Sequence, residues 1–437
     1  MPIEKSLSPD HKREARERLL HDLDRTPLPA RRRFLAQAAA ALAATGAGGA
    51  QAMAAQREKA PASLKITNLK TTVLRIGAAD WTTLIELETN QGIVGLGQTT
   101  FRVQPKVINA AIENVLKPIV VGRNPFEYET LWMEMFVDNT KYGMAGTHVL
   151  AMSAVDIALW DLMGKAVDQP VWRLLGGKFR DKVEVYASKS ETRKGNPSLK
   201  QLAEQLVRDA TAAGFRALKT HTHSGLTAAH SYDARMDTDV TVEEITEIRR
   251  LAGPKFKNMA DVTNAYTAAQ AIKVGRKLEE LDVFFMEEPV TVYDYRGLAQ
   301  VADALDMRIA AGEQQFTRLE FYRLIVEGHV DIIQPNVIIC GGITEMRKIA
   351  AVASIFDTSI VSHNTLNGLP TTAALHFWVA THNVRYPQEY DYNASRPDHG
   401  LLMVEDPVLP KNGFLTPPDK PGLGVELNRA QVKKMAV

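Results

Sequence analysis

Eight short apolar runs, nearly all with a polar or charged residue at the end and followed by a stretch with helical spacing, constrain this chain more than any other feature. They are VEVYAS (183–188), RALKT (216–220), FKNMADV (256–262), VFFMEEP (283–289), RIAAGE (308–313), VDIIQPN (330–336), SIVSHN (359–364) and YPQEY (386–390). Strands alternating with helices such as TEMRKIAAVASIF (344–356) build parallel sheets, because a parallel strand can be reached only by a crossover. Two α/β architectures satisfy that pattern, a closed barrel and an open doubly wound sheet. The ends of the runs separate them: Lys219, Asp261, Glu287, Glu313, Asn336, His363 and Glu389 stand there in order. A barrel converges these groups on one mouth, where barrel active sites lie, whereas an open sheet spreads them along a line.

Three of the seven are carboxylates at equal intervals: Asp261, Glu287 and Glu313 follow one another 26 residues apart. One βα repeat of that length advances the chain by one strand, so the spacing places three anions on neighbouring strand tips. Such groups repel strongly in a partly enclosed mouth unless a cation neutralises them. Oxygen-only side-chain ligation suits a hard divalent ion, most naturally Mg2+. Any one of the acids alone reads as surface; the shared position and spacing make a metal site the better reading.

Upstream, the texture differs. Residues 65–98 alternate apolar and polar positions around turn signals such as Asn90-Gln91-Gly92, which predicts a meander of about three strands. Helical spacing takes over near Pro105. Over 146–177 it places Val149, Met152, Ala154, Ile157, Ala158, Leu159 and Leu162 on a helix that ends in Gly-Gly. This first part reads as α+β.

The motifs MADVTNAY, FMEEPV, AAGEQQF, IIQPNVIICGGITE and VSHNTL, with the helix SAVDIALWDLMGKAVDQPVWRLLGG, resemble the enolase superfamily, specifically its mandelate racemase-like branch. The likeness spans about residues 64 to 428. It implies a (β/α)7β modified TIM barrel (181–400), an N-terminal α+β capping domain (61–180) and a C-terminal segment (401–437) that returns to the cap. It also implies a shared step, removal of the proton α to a carboxylate, with Mg2+ stabilising the enediolate. Asp261, Glu287 and Glu313 would be the metal ligands. The tail LLMVEDPVLPKNGFLTPPDKPGLGVELN resembles that of aldonate and aldarate dehydratases, rhamnonate dehydratase among them. Homo-oligomers, dimers or octamers, are common in the family.

Within that resemblance, Lys219 matches the first lysine of a Lys-x-Lys motif, near the substrate carboxylate. The second position is His221, which can serve as acid or base near neutral pH. Glu288 matches the second Glu of EEP, expected beside the second-strand lysine, and Asn264 would assist nearby. His363 matches the barrel histidine. The aspartate that orients it in most members is Asn336 here, which can accept a ring N–H but supplies no charge to an imidazolium. Proton abstraction then falls either to His363 or to the Lys219/His221 side. Glu389 matches a carboxylate that donates a hydrogen bond to substrate when kept protonated, with Asp391 a near alternative. The cap loops 75–83 and 100–105 carry Trp81, Phe101 and Arg102, readers of substrate or packing of the cap. Polar groups at the mouth (His221, His223, Asn364, Thr365, Asn367) suit a polyol.

The expected reaction is dehydration of an acid sugar to a 2-keto-3-deoxy acid. The rivals are a racemase or epimerase using His221 and His363 on opposite faces, a cycloisomerase, and a weakened acid-sugar binding protein. A formal net charge of +1 gives no reason to expect nucleic acid or an anionic membrane surface as partner. The single cysteine, Cys340, reads as a small buried hydrophobe, and no Cys/His cluster has zinc spacing. Residues 1–60 read as a signal and linker. Arg31-Arg32 precede Phe-Leu as in a twin-arginine signal, an apolar run of about 12 residues is too short to span a bilayer, and Ala50-Gln51-Ala52 offers a cleavage site. That label predicts a periplasmic enzyme without a membrane anchor; without export it would be cytoplasmic.

Overall fold

The computed structural model describes residues 63–77, 80–100, 104–138, 141, 144–189, 198–221, 238–392 and 400–437. The leader and its twin-arginine motif lie outside the described residues. No described helix is long and apolar enough to cross a membrane.

The meander forms as the alternation requires. β1 (Ile66–Arg75), β2 (Trp81–Thr89) and β3 (Val94–Gln98) pair antiparallel in chain order. They lie on the long helix α1 (Thr147–Ala166), in which every residue from His148 to Gly164 is buried. A helix buried on all sides needs partners on all sides; here the cap sheet takes one face and the barrel another. Burying each of its larger side chains contributes about 1.5–3 kcal/mol. The approach of β3 is set by Gly95 and Gly97: a Cβ on Gly97 would lie 2.0 Å from the Ala154 carbonyl oxygen, and one on Gly95 2.2 Å from that of Ala158. The helix stops before the predicted Gly-Gly, because Pro170 cannot continue it, and a short turn at Val171–Leu174 completes the stretch.

All eight predicted barrel strands are present: β4 (Val183–Lys189), β5 (Ala217–His221), β6 (Lys257–Asp261), β7 (Val283–Glu287), β8 (Arg308–Ala311), β9 (Ile332–Ile333), β10 (Ser359–Ile360) and β11 (Gln388–Asp391). They pair in parallel in the order β11-β4-β5-β6-β7-β8-β9-β10, and among the described residues each of the seven intervals between consecutive strands holds one helix. This is the (β/α)7β barrel rather than the open sheet. Between β10 and β11 side chains replace the ladder. Gln388 accepts from Ser362 N–H (2.8 Å) and donates to the Ile360 carbonyl (3.1 Å), and the Asn364 N–H reaches Glu389 Oε2 at 2.7 Å. Inside, Tyr186, Ala217, Met259, Phe285, Ala310, Ile332 and Val361 fill the barrel below the mouth, so the polar groups above them stand on a packed floor.

Cap and barrel are stitched around α1. Trp160 Nε1 donates to Thr344 Oγ1 (2.8 Å), the Gly341 N–H to Ser153 Oγ (2.9 Å) and the Thr344 N–H to Asp156 Oδ2 (2.9 Å). Cys340 is buried beside this seam. The chain's end lies against the cap: Leu74 and Ala436 form an antiparallel bridge, and the Val437 N–H donates to the Val73 carbonyl at 3.1 Å.

Candidate active site

Period-2 alternation aims Lys219 and His221 inward from β5, Asp261 from β6 and Glu287 from β7, while Glu313, Asn336 and His363 lie two or three residues past the ends of β8, β9 and β10. One carboxylate oxygen from each of Asp261, Glu287 and Glu313 lies within 4.8 Å of the other two. An oxygen-only donor set of that span fits a hard divalent cation. The surrounding charge fits as well: among the described residues, Asp261, Glu287, Glu313, Glu288 and Glu389 gather around Lys219, His221 and His363.

Lys219 is the hub of one wall. Its Nζ lies 2.5 Å from Glu287 Oε1, 2.8 Å from Glu389 Oε1 and 3.5 Å from Asp261 Oδ2, with no exposed surface. Burial alone would lower its pKa, but the facing carboxylates outweigh burial and hold it well above the usual lysine value. Lys219 is therefore a fixed cation. His221 Nδ1 stands 3.0 Å from Asp261 Oδ2, and 20% of its side chain is exposed. Burial pulls its pKa down, the charge and hydrogen bond of Asp261 push it up, and the net direction is up. Asp261 is itself depressed: burial is opposed by the charges of His221 and Lys219. Glu287 is raised by burial and by the neighbouring carboxylates, against Lys219. Gln334 Nε2 donates to its second oxygen at 2.6 Å.

Glu389 departs from expectation. Burial would favour a protonated carboxyl. The charges of Lys219 and His363, with hydrogen bonds from Lys219 and the Ser188 hydroxyl, instead hold the pKa down to about 2. That direction favours a carboxylate paired with Lys219 at 2.8 Å over a protonated donor to substrate. Glu288 departs too. Its backbone is left-handed (φ 47°), and its carboxylate accepts from Asn264 Nδ2 and from Gln314 Nε2 (2.9 Å), instead of standing beside the second-strand position. Burial, then Glu313 and Asp261, raise its pKa well above the usual range.

The opposite wall is built differently. His363 lies between Asn336 and Glu313: its Nδ1 is 2.8 Å from Asn336 Nδ2 and its Nε2 is 3.2 Å from Glu313 Oε2. Asn336 Oδ1, the atom expected to accept a ring N–H, accepts the Ile338 N–H at 3.1 Å instead. Asn336 thus presents its amide nitrogen to the ring.

Among the substrate-facing candidates, Trp81 starts β2 in the cap with the Arg75 guanidinium 5.3 Å over its ring. Arg102, Phe101 and His223 lie outside the described residues. Asn364 and Asn367 spend their amides on the fold: Asn364 on Thr371 and the Glu389 carbonyl, Asn367 on the Asp391 carbonyl. Gln334, Ser188 and Gln314 were missed. Gln334 is two residues before Asn336, so strand alternation was the signal that could have found it.

The chain matches two family models, "Mandelate racemase / muconate lactonizing enzyme, N-terminal domain" over residues 57–176 and "Enolase C-terminal domain-like" over residues 201–431. It is 33% identical to the arabinonate dehydratase of Saccharolobus solfataricus over 344 residues, 78% of this chain and 86% of that protein. It is 30% identical to the D-galactarolactone cycloisomerase of Agrobacterium fabrum over 355 residues, 79% of this chain and 89% of that protein. Among solved structures, a mandelate racemase/muconate lactonizing protein from Paracoccus denitrificans, complexed with magnesium, superimposes with a TM-score of 0.77 at 28% identity. That match covers 86% of this chain and 99% of the other.

Proposed function

The chain belongs to the mandelate racemase/muconate lactonizing enzyme family of the enolase superfamily, and on that premise we propose that it dehydrates an acid sugar. An aldonate or aldarate would lose its α-proton and its β-hydroxyl as one water, and the resulting enol would ketonise to a 2-keto-3-deoxy acid. The observation that carries this reading is the convergence of Asp261, Glu287 and Glu313 on one point beside a buried, permanently charged lysine. The similarity to an arabinonate dehydratase supports it.

Asp261, Glu287 and Glu313 would hold Mg2+, which when bound supplies Lewis-acid stabilisation of charge developing on the substrate carboxylate. The chain's own groups divide the remaining work. Lys219 fixes a positive charge at the floor of the mouth, and Glu389 keeps it there. His221 is held by Asp261 through Nδ1 and partly exposed at the strand end. In this reading it takes the α-proton. Gln334 and Lys219 hold the two oxygens of Glu287 in place.

A panel of aldonates and aldarates incubated with the full chain and Mg2+, scored with semicarbazide, tests the reading. A 2-keto acid from at least one member is the expected result; no 2-keto acid from any member overturns it. The second reading, a cycloisomerase, is favoured by the similarity to D-galactarolactone cycloisomerase and would yield an isomer of unchanged mass. We further propose that residues 1–60 direct export by the twin-arginine route. Cell fractionation that finds only full-length protein in the cytoplasm would refute this.

A further inference from the structure

We propose that Asp156 is a positioning residue that acts on the mouth from behind: from α1 of the cap it supplies the N-terminal cap that the barrel helix α2 (Gly342–Ile355) lacks, and so fixes the turn 336–341 from which Asn336 faces His363. The first N–H groups of a helix have no partner within it, and a Ser, Thr, Asp or Asn at the N-cap ordinarily takes one of them. The N-cap of α2 is Gly341, left-handed at φ 118°, and Gly342 follows at φ 81°. Neither has a side chain to offer. The acceptor comes instead from 188 residues earlier: Asp156 Oδ2 takes the Thr344 N–H, at the third position of the helix, at 2.9 Å. That is the bond an N-cap side chain makes, supplied by another element. The glycines let it in, since a Cβ on Gly342 would lie 2.6 Å from the Cβ of Asp156. The Gly-Gly of IIQPNVIICGGITE thereby gains a reason in packing. Asp156 has no exposed surface, so bulk water does not reach the bond.

Two more groups of the cap secure the same helix end. Ser153, on α1, accepts the Gly341 N–H at 2.9 Å, and Trp132 Nε1 donates to the Gly341 carbonyl at 2.7 Å. The turn is tied at its other end by Asn336, whose carbonyl accepts the N–H groups of Ile339 (2.9 Å) and Cys340 (2.8 Å) and whose Oδ1 accepts that of Ile338 (3.1 Å). Asn336 Nδ2 then stands 2.8 Å from His363 Nδ1. A continuous line of hydrogen-bonded groups therefore runs from α1 through the start of α2 and the turn to the β9–β10 wall. Asp156 needs only an acceptor oxygen for this role, so an amide in its place serves as well as a carboxyl. The consequence for turnover rests on the dehydratase reading: with the cap bond gone, the turn loosens and Asn336 and His363 lose their fixed place.

Amide hydrogen exchange of the full chain, read by mass spectrometry on peptides covering 336–346, tests the proposal in Asp156→Leu and Asp156→Asn. Asp156→Leu keeps the bulk and removes the acceptor; exchange over 336–346 should quicken by at least about tenfold, while peptides from 268–280, elsewhere in the barrel, stay as in the wild type. Asp156→Asn should restore wild-type exchange. Unchanged exchange in Asp156→Leu overturns the proposal, and so does an Asp156→Asn chain that exchanges as fast as Asp156→Leu. If Asp156→Leu does not fold, Ser153→Ala, which removes only the bond to Gly341, decides in the same way: faster exchange confined to 336–346 is expected, and wild-type exchange overturns it. On an acid sugar that is turned over, kcat of Asp156→Leu should fall about tenfold with KM near the wild-type value, and Asp156→Asn should recover it. Faster exchange with wild-type kcat would break the link to the mouth. The exchange measurement uses no substrate, so it can fail while dehydration stands, and a negative substrate panel leaves the exchange result untouched.

Discussion

The two walls of the mouth carry the same kind of group, a histidine at a strand end, and hold it in opposite ways. On the β5–β6 wall, His221 meets a carboxylate, and the adjoining Lys219 is saturated by Glu287 and Glu389. On the β9–β10 wall, His363 meets an amide nitrogen at Nδ1. One wall is built from opposed charges out of water, and each member depends on its neighbours. The other is built from neutral hydrogen-bond polarity, which sets direction without supplying charge. A histidine's position at a strand end thus tells little about its role until the atom facing its far nitrogen is known.

The comparison can be broken most violently at Lys219. Lys219→Met strips the cation from two fully buried carboxylates. Breaking a buried pair from one side costs about 3–5 kcal/mol, so chemical denaturation should show a loss of that size together with loss of turnover. Wild-type stability in this variant would mean that the ionic wall is not coupled as described. His221→Asn should leave the fold intact and reduce 2-keto acid formation by about 10²–10⁴-fold, the range for removing a general acid–base group. His363→Asn should cost about tenfold, the scale of one hydrogen bond of roughly 1.5 kcal/mol. Equal losses in the two histidine variants would erase the difference between the walls.

The architecture behind these walls was legible in the sequence to an uneven degree. The eight strands were readable because nearly every apolar run carries a polar or charged residue at its end and is followed by helical spacing. Asp261, Glu287 and Glu313 were readable because one βα repeat separates each from the next. What was not legible depends on atoms brought together from afar. The lowered pKa of Glu389 follows from Lys219, two strands away around the barrel, and the polarity of Asn336 follows from the Ile338 N–H that takes its oxygen. Gln388 looked like part of a polar strand end, yet it spans the one gap where no ladder forms. Residue type gave the group; only tertiary contact gave its protonation or orientation.

The smallest expected effect lies away from the mouth and shows that burial without a cation in contact behaves differently again. Asp156, buried at the junction of cap and barrel, has its pKa raised to about 7, chiefly by burial, against hydrogen bonds from Thr344. A folded-state pKa above the unfolded value means that the folded chain holds the proton more tightly. Its contribution to stability is therefore complete below about pH 4 and is lost as pH rises towards 7, with a slope of at most about 1.4 kcal/mol per pH unit. Asp156→Asn should remove that component from the profile of unfolding free energy against pH. An unchanged profile would place the ionised carboxylate in the folded state throughout.

The most direct test of the account is the fate of substrate run in D2O with Mg2+ and followed by NMR and mass spectrometry. The account predicts a 2-keto-3-deoxy acid formed with loss of one water, while unreacted substrate keeps its configuration at the α-carbon. An isomer of unchanged formula, inverted at that carbon and carrying solvent deuterium, would contradict it, because both walls would then be moving protons.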